Sequence, residues 1–443
     1  MRSFADVAHQ TLTFDPSLKG EQLILQLIDS PWVQRLRNIS QTGSTRYVYM
    51  SAEHSRFGHS LGVAYLTKIL LNNLKKNYPE QIAPYELAVL AASLLHDIGH
   101  VAPGSHLAEK IWLPTINGQH EQTTARIIRE DSGLNKILTS FDPKLPETIV
   151  RIIEKDPSLP RWTVSTISGS GWNADRGNWS ILDSVMCAVS YGRYNVLALI
   201  DAFQLSPEGD LVLQENRLDA LTHFFVARDS MYRQVYQHRV LQTADAMTCG
   251  VVIRLREIIK NADTAKSART VLADKNIFAD KTMLNTLFAD RANLLDLEDV
   301  FAMTESWWRY HLDQWCKSDD QLLNDLSKRI CNRELFKTIR LETIANSNGE
   351  YSITENDREF IEKAKQIALQ LEYNPKYYVL IVDDKDKHRV TDDKPPLVLL
   401  DNGKIISVTE IEPMINNLWS RPSLTRVWLV VPKDVKKLLG RDR

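Results

Sequence analysis

The run ELAVLAASLLHDIGH, residues 86–100, is apolar around nearly its whole circumference until it ends in His96 and Asp97. A helix with no polar face has to be surrounded by other elements. The chain is therefore expected to organise itself around a buried central helix whose last turn delivers an imidazole and a carboxylate to a site. LGVAYLTKILLNNL (61–74) carries apolar residues at three- and four-residue intervals and reads as a second helix of the same body.

At 443 residues the chain exceeds what one hydrophobic core usually organises, so a main domain with an appended piece is expected. Hydrophobic residues at 43% and charged residues at 25% are the proportions of a soluble globular protein. The net charge of -2 gives no overall attraction to polyanions: nucleic-acid binding would need a local basic patch, whereas a small anionic substrate is compatible. Cys187, Cys249, Cys316 and Cys331 form no CxxC pair, which argues against a disulfide framework or a thiolate zinc site and for a reducing cytoplasm. The opening MRSFADVAHQTLTFD lacks the apolar core of a signal peptide, and no stretch is long enough to span a bilayer.

Helical patterning dominates from about Glu21 to Ala262, within an expected main domain of 1–262, and 217–259 reads as one long helix or two joined end to end. Between them STISGSGWNADRGNW (165–179) breaks the periodicity as a loop feeding a site. A charged helical extension is expected over 263–344, and a small α/β piece over 345–443, where YYVLIVDD, LVLLDNGKIISV and RVWLVVP read as strands. Asn402-Gly403 predicts a type I′ hairpin.

A His-Asp pair alone is a weak metal signal. His59, opening an apolar helix in EHSRFGHSLGVAYL, and Asp175, in NADRGNW, give the order H, HD, D that completes a four-donor set. Two imidazoles and two carboxylates suit a divalent cation such as Mn, Fe, Mg, Ni or Zn and leave positions for water and a phosphate oxygen. The competing reading makes His59 a satisfied core histidine and Asp175 the N-cap of the next helix.

PWVQRLRNISQTGSTRYVYMSAEHSRFGHSLGVAYL, LLHDIGHVAPGSH with GQHEQ, NADRGNWSILDSVMCAVSYG and RQVYQHRV, in this order from about Ser30 to Ala246, resemble the motifs of the HD-domain deoxynucleoside triphosphate triphosphohydrolases, bacterial dGTPases among them. The resemblance implies a mainly α fold, an HD-superfamily helical core with the small C-terminal α/β appendage. It implies metal ligation by His59, His96, Asp97 and Asp175, and catalytic work by His106, Glu109 and His120. Arg56, His100 and Arg176 would face the triphosphate, with Gln41, Trp179, Asp183, Tyr236 and Gln237 near sugar and base. His106 and Glu109, three apart on a helix, suit a general acid oriented by a carboxylate, and equally a surface pair. Trp179 and Tyr236 suit stacking on a base, and equally core packing.

The chain departs from the family in several places: Asn173, Asn178, Trp179 and Leu182 stand where relatives carry Asp, Asp, Tyr and Arg. The loss of the arginine at 182 removes a supporting ion pair for Asp183. One extra residue separates His100 from His106, and Thr42 replaces a larger apolar side chain after Gln41. The expected reaction is attack of water at the α-phosphorus with His106 protonating the leaving 5′ oxygen, releasing nucleoside and triphosphate in a homo-oligomeric enzyme. A phosphodiesterase or single-strand nuclease, and an inactive nucleotide-binding sensor, are the rival readings.

Overall fold

A computed structural model describes residues 1–104, 107–112, 120–169, 171–262, 295–345, 351–383, 394–420 and 426–440. The central helix is present as Glu86–Leu95, and Ala88 to Leu95 are all buried, as its unbroken apolar surface requires. It packs on the long helix Arg56–Asn77, which in turn packs on Ala174–Met186. Lys19–Ile28 and Leu145–Ile153 enclose the remaining sides of the central helix. An N-terminal hairpin, Arg2–Asp6 with Gln10–Phe14, lies against the Arg56–Asn77 helix through its second strand.

The 217–259 region is two helices, Leu218–Met231 and Arg239–Ala262, joined by a π-helical turn at Tyr232–Tyr236. Such turns commonly mark functional positions in a helix, and this one carries Tyr236. The loop after residue 165 is shorter than its composition suggests. Asn173 caps a helix that starts at Ala174, accepting the Arg176 backbone N–H at 2.8 Å. Asp175 is thus inside the first turn, and the capping role belongs to Asn173.

The C-terminal strands form where expected, but their partners lie far away in sequence. Leu397–Leu399 pairs parallel with Leu211–Gln214 and antiparallel with Ile405–Ser407, in the order Ile405–Ser407, Leu397–Leu399, Leu211–Gln214, Phe203–Leu205. Val427–Val431, fully buried, is the centre of a second sheet between Lys337–Leu341 and Leu380–Asp383. Hydrogen bonding therefore crosses both expected boundaries, at 262 and at 344.

The hairpin at Asn402-Gly403 exists, but only Gly403 has positive φ, at 82°, and its N–H donates to Leu400 O at 2.9 Å. A type I′ turn needs positive φ at both central residues, so this is another turn type. Asn402 instead accepts the Lys404 N–H with its side chain. No helix among the described residues is long and apolar enough to cross a membrane.

Candidate metal centre

Three elements bring the four expected donors together. His59 sits one turn into the Arg56–Asn77 helix, His96 and Asp97 follow the central helix, and Asp175 lies in the first turn of Ala174–Met186. His59 Nε2 is 3.0 Å from Asp175 Oδ1, and His96 Nε2 is 3.7 Å from the same oxygen. Asp97 closes the fourth side, 3.4 Å from His96 Nε2 through Oδ1 and 3.8 Å from His59 Nε2 through Oδ2. Asp175 keeps 33% of its side chain exposed while the other three are at 11% or less, so the cluster opens towards solvent on the Asp175 side.

The central helix ends as it does because Gly99 permits close packing. A Cβ there would lie 2.3 Å from His120 O, so only glycine lets the helix His120–Glu130 approach. Thr124 then accepts the Gly99 N–H at 3.0 Å and donates to His96 O at 3.1 Å, fixing the turn that carries the HD pair. His96 Nδ1 faces Ser93 O at 2.9 Å, a pure acceptor, which places the ring proton on Nδ1. Its Nε2 is buried with no hydrogen-bond partner among the described residues. A buried ring nitrogen without a partner, facing two carboxylates and a second imidazole, fits a divalent cation.

The electrostatics agree. Burial alone would raise the Asp97 pKa, but Arg56, whose Nη1 donates to Asp97 Oδ2 at 2.6 Å, together with His96 and His100 holds it well below the usual carboxylate range. Burial opposes ionisation of Asp175 too, and the hydrogen bond from His59 with the nearby His96 imidazole outweighs it. Burial would lower His96, but Asp97 and Asp175 raise it to about 9. Both carboxylates are thus ionised at neutral pH, and a cation bound there would compete with a proton at His96.

Beside this cluster His100 and His120 stack at 3.9 Å between ring centroids, with an interplanar angle of 19°. Their Nε2 atoms are 3.3 and 3.9 Å from Asp97 Oδ1. Burial, with the neighbouring Arg56 and His120, pushes His100 well below the ordinary histidine value, so it is neutral. Asp97, His100 and His120 form a second group with donor atoms within 4.8 Å of one another. Arg56 is buried with its Nε unpartnered among the described residues, and so is the Oε1 of Gln41. Arg176 lies half-buried in the same turn as Asp175.

A third set surrounds Asp183, which is buried and accepts from Tyr236 Oη at 2.5 Å and pairs with His54 Nε2 at 2.7 Å. Burial and the Asp183 charge hold the Tyr236 hydroxyl well above its ordinary pKa, so it stays a donor. His54 supplies the partner whose loss Leu182 implied. Trp179 meets Tyr232 and Tyr236 edge-on, at 5.7 and 5.5 Å, packing the wall of this set. Gln237 follows at the end of the π-helical turn, half-buried. His106 and the side chain of Glu109 lie outside the described residues. Sequence reasoning missed His54, which pairs with Asp183, Arg35, which donates to His100 O at 2.8 Å, and Glu305, which accepts from Gly104 N at 2.7 Å, and it noted Asn178, 2.9 Å from His59 Nδ1, only as a departure from the family. His54 stood inside the quoted EHSRF motif, the one signal that pointed to it.

Residues 56–176 match the HD domain family. The chain is 28% identical over 422 residues to the uncharacterized protein YwfO of Bacillus subtilis, covering 94% of this chain and 89% of that one. It is 25% identical over 439 residues to the deoxynucleoside triphosphate triphosphohydrolase SAMHD1 of Bos taurus, covering 90% of this chain and 68% of the relative. A solved phosphohydrolase from Bacteroides thetaiotaomicron superposes with a TM-score of 0.78 at 22% identity, over 98% of this chain and all of that one, and shows the shared fold. The HD domain and these relatives support a metal-dependent phosphohydrolase. Within that class the chain is similar to the deoxynucleoside triphosphate triphosphohydrolases.

Proposed function

We propose that the chain hydrolyses nucleoside triphosphates, deoxy forms included, at the α-phosphorus to give nucleoside and intact triphosphate. The observation that carries this reading is the cluster of His59, His96, Asp97 and Asp175 with His100 and His120 stacked beside Asp97, the Asp183–Tyr236 pair lying on the helix that also carries Asp175. Bound by His59, His96, Asp97 and Asp175, a divalent cation supplies Lewis-acid polarisation of a phosphate oxygen and a more acidic water.

The chain's own residues do the rest. Arg56 keeps Asp97 ionised and presents a guanidinium beside the phosphate, where Arg176 adds a second positive charge. His100, neutral and stacked on His120, holds a nitrogen at the phosphate chain. His120, with Glu121 Oε2 3.6 Å from its Nδ1, is placed to hold or pass a proton, alongside the expected acid His106. The Tyr236 hydroxyl and Asp183 mark the sugar end, with Gln41, Trp179 and Gln237 around it.

The test is to incubate metal-loaded protein with each dNTP, each NTP and short single strands, and to separate the products. Nucleoside with tripolyphosphate is the expected outcome. Nucleoside monophosphates from strands select the phosphodiesterase, and no turnover with retained nucleotide binding selects the sensor. The homo-oligomer expected from the resemblance is checked by light scattering with and without nucleotide.

A further inference from the structure

The two imidazoles of the metal set are prepared in different ways. His96 has Nδ1 on a backbone carbonyl, so Nε2 is the ring atom it turns to the donor cluster in either protonation state. His59 has Nδ1 on the side-chain amide of Asn178, whose Nδ2 lies 2.9 Å from it and 3.2 Å from His59 O. An amide N–H can only donate, so in this arrangement the His59 proton sits on Nε2, where it faces Asp175 Oδ1 at 3.0 Å. That tautomer has no lone pair to give through Nε2.

The other end of the same amide, Asn178 Oδ1, is 2.8 Å from Nε2 of His9, at the turn of the N-terminal hairpin. The packing is close. Asn178 is buried, and a Cβ on Gly62, one helical turn beyond His59, would lie 2.1 Å from its Oδ1.

We propose that Asn178 and His9 form a neutral tautomer switch that governs metal loading at His59. For His59 to ligate through Nε2, its proton moves to Nδ1 and the Asn178 amide reverses, so that Oδ1 accepts from Nδ1–H and Nδ2 donates to His9 Nε2. His9 then carries its own proton on Nδ1. Each ring keeps one proton throughout, and no charge is created. The amide has to turn over within this close packing for the ion to load, a step that a carboxylate at 178 does not need. An aspartate accepts at both ends, from His59 Nδ1–H and from His9 Nε2–H, and needs no reversal. The histidine–carboxylate pairing that commonly tunes metal ligands is thus replaced here by an amide with two settings.

The proposal rests on the four-donor site but not on the identity of the substrate. Its test is the Mn2+ and Co2+ affinity of the full chain by calorimetry, with the Co2+ visible spectrum as a second readout and thermal melting in EDTA as the control for folding. Asn178→Asp is expected to bind at least about tenfold more tightly and Asn178→Leu about 10- to 100-fold more weakly. His9→Phe, which removes the far partner, is expected to weaken binding several-fold with an altered Co2+ spectrum. A wild-type chain that binds neither ion sinks the metal site itself. Wild-type binding with all three variants matching it in affinity and spectrum overturns the switch alone. If a variant at 178 fails to fold, the His9→Phe affinity and spectrum decide.

Discussion

Replacing Arg35 by methionine should destabilise the helical body by about 3–5 kcal/mol, as expected for breaking a buried charged network. Arg35 is 3% exposed. Its Nε donates to Phe301 O at 2.8 Å, Nη1 to His100 O at 2.8 Å and Nη2 to Val300 O at 2.8 Å, with longer contacts to Ile98 O and Met303 O. Every oxygen in this set is a backbone carbonyl. Burial lowers the guanidinium to about 9, which leaves it charged at neutral pH. Methionine fills much of the same volume and donates nothing. Three carbonyls then lose their short partner, at roughly 1–3 kcal/mol each for an acceptor left unsatisfied. Removal of a cation whose burial itself costs several kcal/mol offsets part of that sum. The assay is urea unfolding followed by tryptophan fluorescence, with Arg35→Lys alongside. Lysine offers three donors from one nitrogen, not five from a planar fork, and should recover less than half of the loss. A methionine variant within about 0.5 kcal/mol of wild type, the usual scatter of an unimportant site, would refute the reasoning.

Metal affinity should depend on pH with a definite sign. His96, raised to about 9, adds stability to metal-free protein that is complete below about 6.5 and lost as pH climbs through 9. A cation must displace that proton, so calorimetric affinity should rise about tenfold per pH unit from 7 towards 9 and then level off; affinity that falls over this range would exclude His96 as a ligand. Asp175→Asn should abolish turnover and weaken Mn2+ binding at least about tenfold with its helix intact by circular dichroism, because Asn173 makes the cap; full activity would count against the site. His54→Leu strips Asp183 of one partner and should raise KM for nucleotide more than it lowers kcat if Asp183 serves the sugar, whereas an effect confined to melting temperature would assign it to packing. Gly99→Ala should cost both stability and metal affinity, since its Cβ would meet the His120 carbonyl; a variant with wild-type affinity would show that the helix can shift freely.

The parts of the molecule legible in the sequence are those that depend on near neighbours. The central helix announced itself because every position from Ala88 to Leu95 is apolar or small and all are buried. That His59, His96, Asp97 and Asp175 come together was legible because each sits within a motif of distinctive local composition. His9–Asn178, His54–Asp183 and the parallel pairing of Leu213 with Val398 join residues more than a hundred positions apart, and no periodicity records such pairings. Arg35 was hidden for another reason. Its partners are carbonyls, which every residue has, so no complementary acid in the sequence could reveal them. The hairpin at Gly403 shows the limit of dipeptide signals: Asn-Gly found the turn, while the residues around it decided which type formed.

The same contacts explain why a site whose donors all lie before residue 176 needs the chain beyond residue 295. Val300, Phe301 and Met303 supply carbonyls to Arg35, and Met303 O also accepts the Ala102 N–H at 3.0 Å. Glu305, a half-buried carboxylate, accepts from Gly104 N at 2.7 Å and Ser40 N at 3.3 Å. Burial raises its pKa, and those two backbone N–H groups oppose the shift. A Cβ at Gly104 would lie 2.2 Å from Ser40 O, so the two loops can meet only with glycine there. Ser40 precedes Gln41, and Ala102 to Gly104 lead from His100 towards His106. One short segment, 300–305, thus sets the spacing between the loop that carries the expected sugar contact and the loop that carries the expected acid. That spacing must be fixed to within a fraction of an ångström for proton transfer to the leaving oxygen. Under the proposed reaction, the segment 300–305 is part of the catalytic framework although it lies well after the HD motifs.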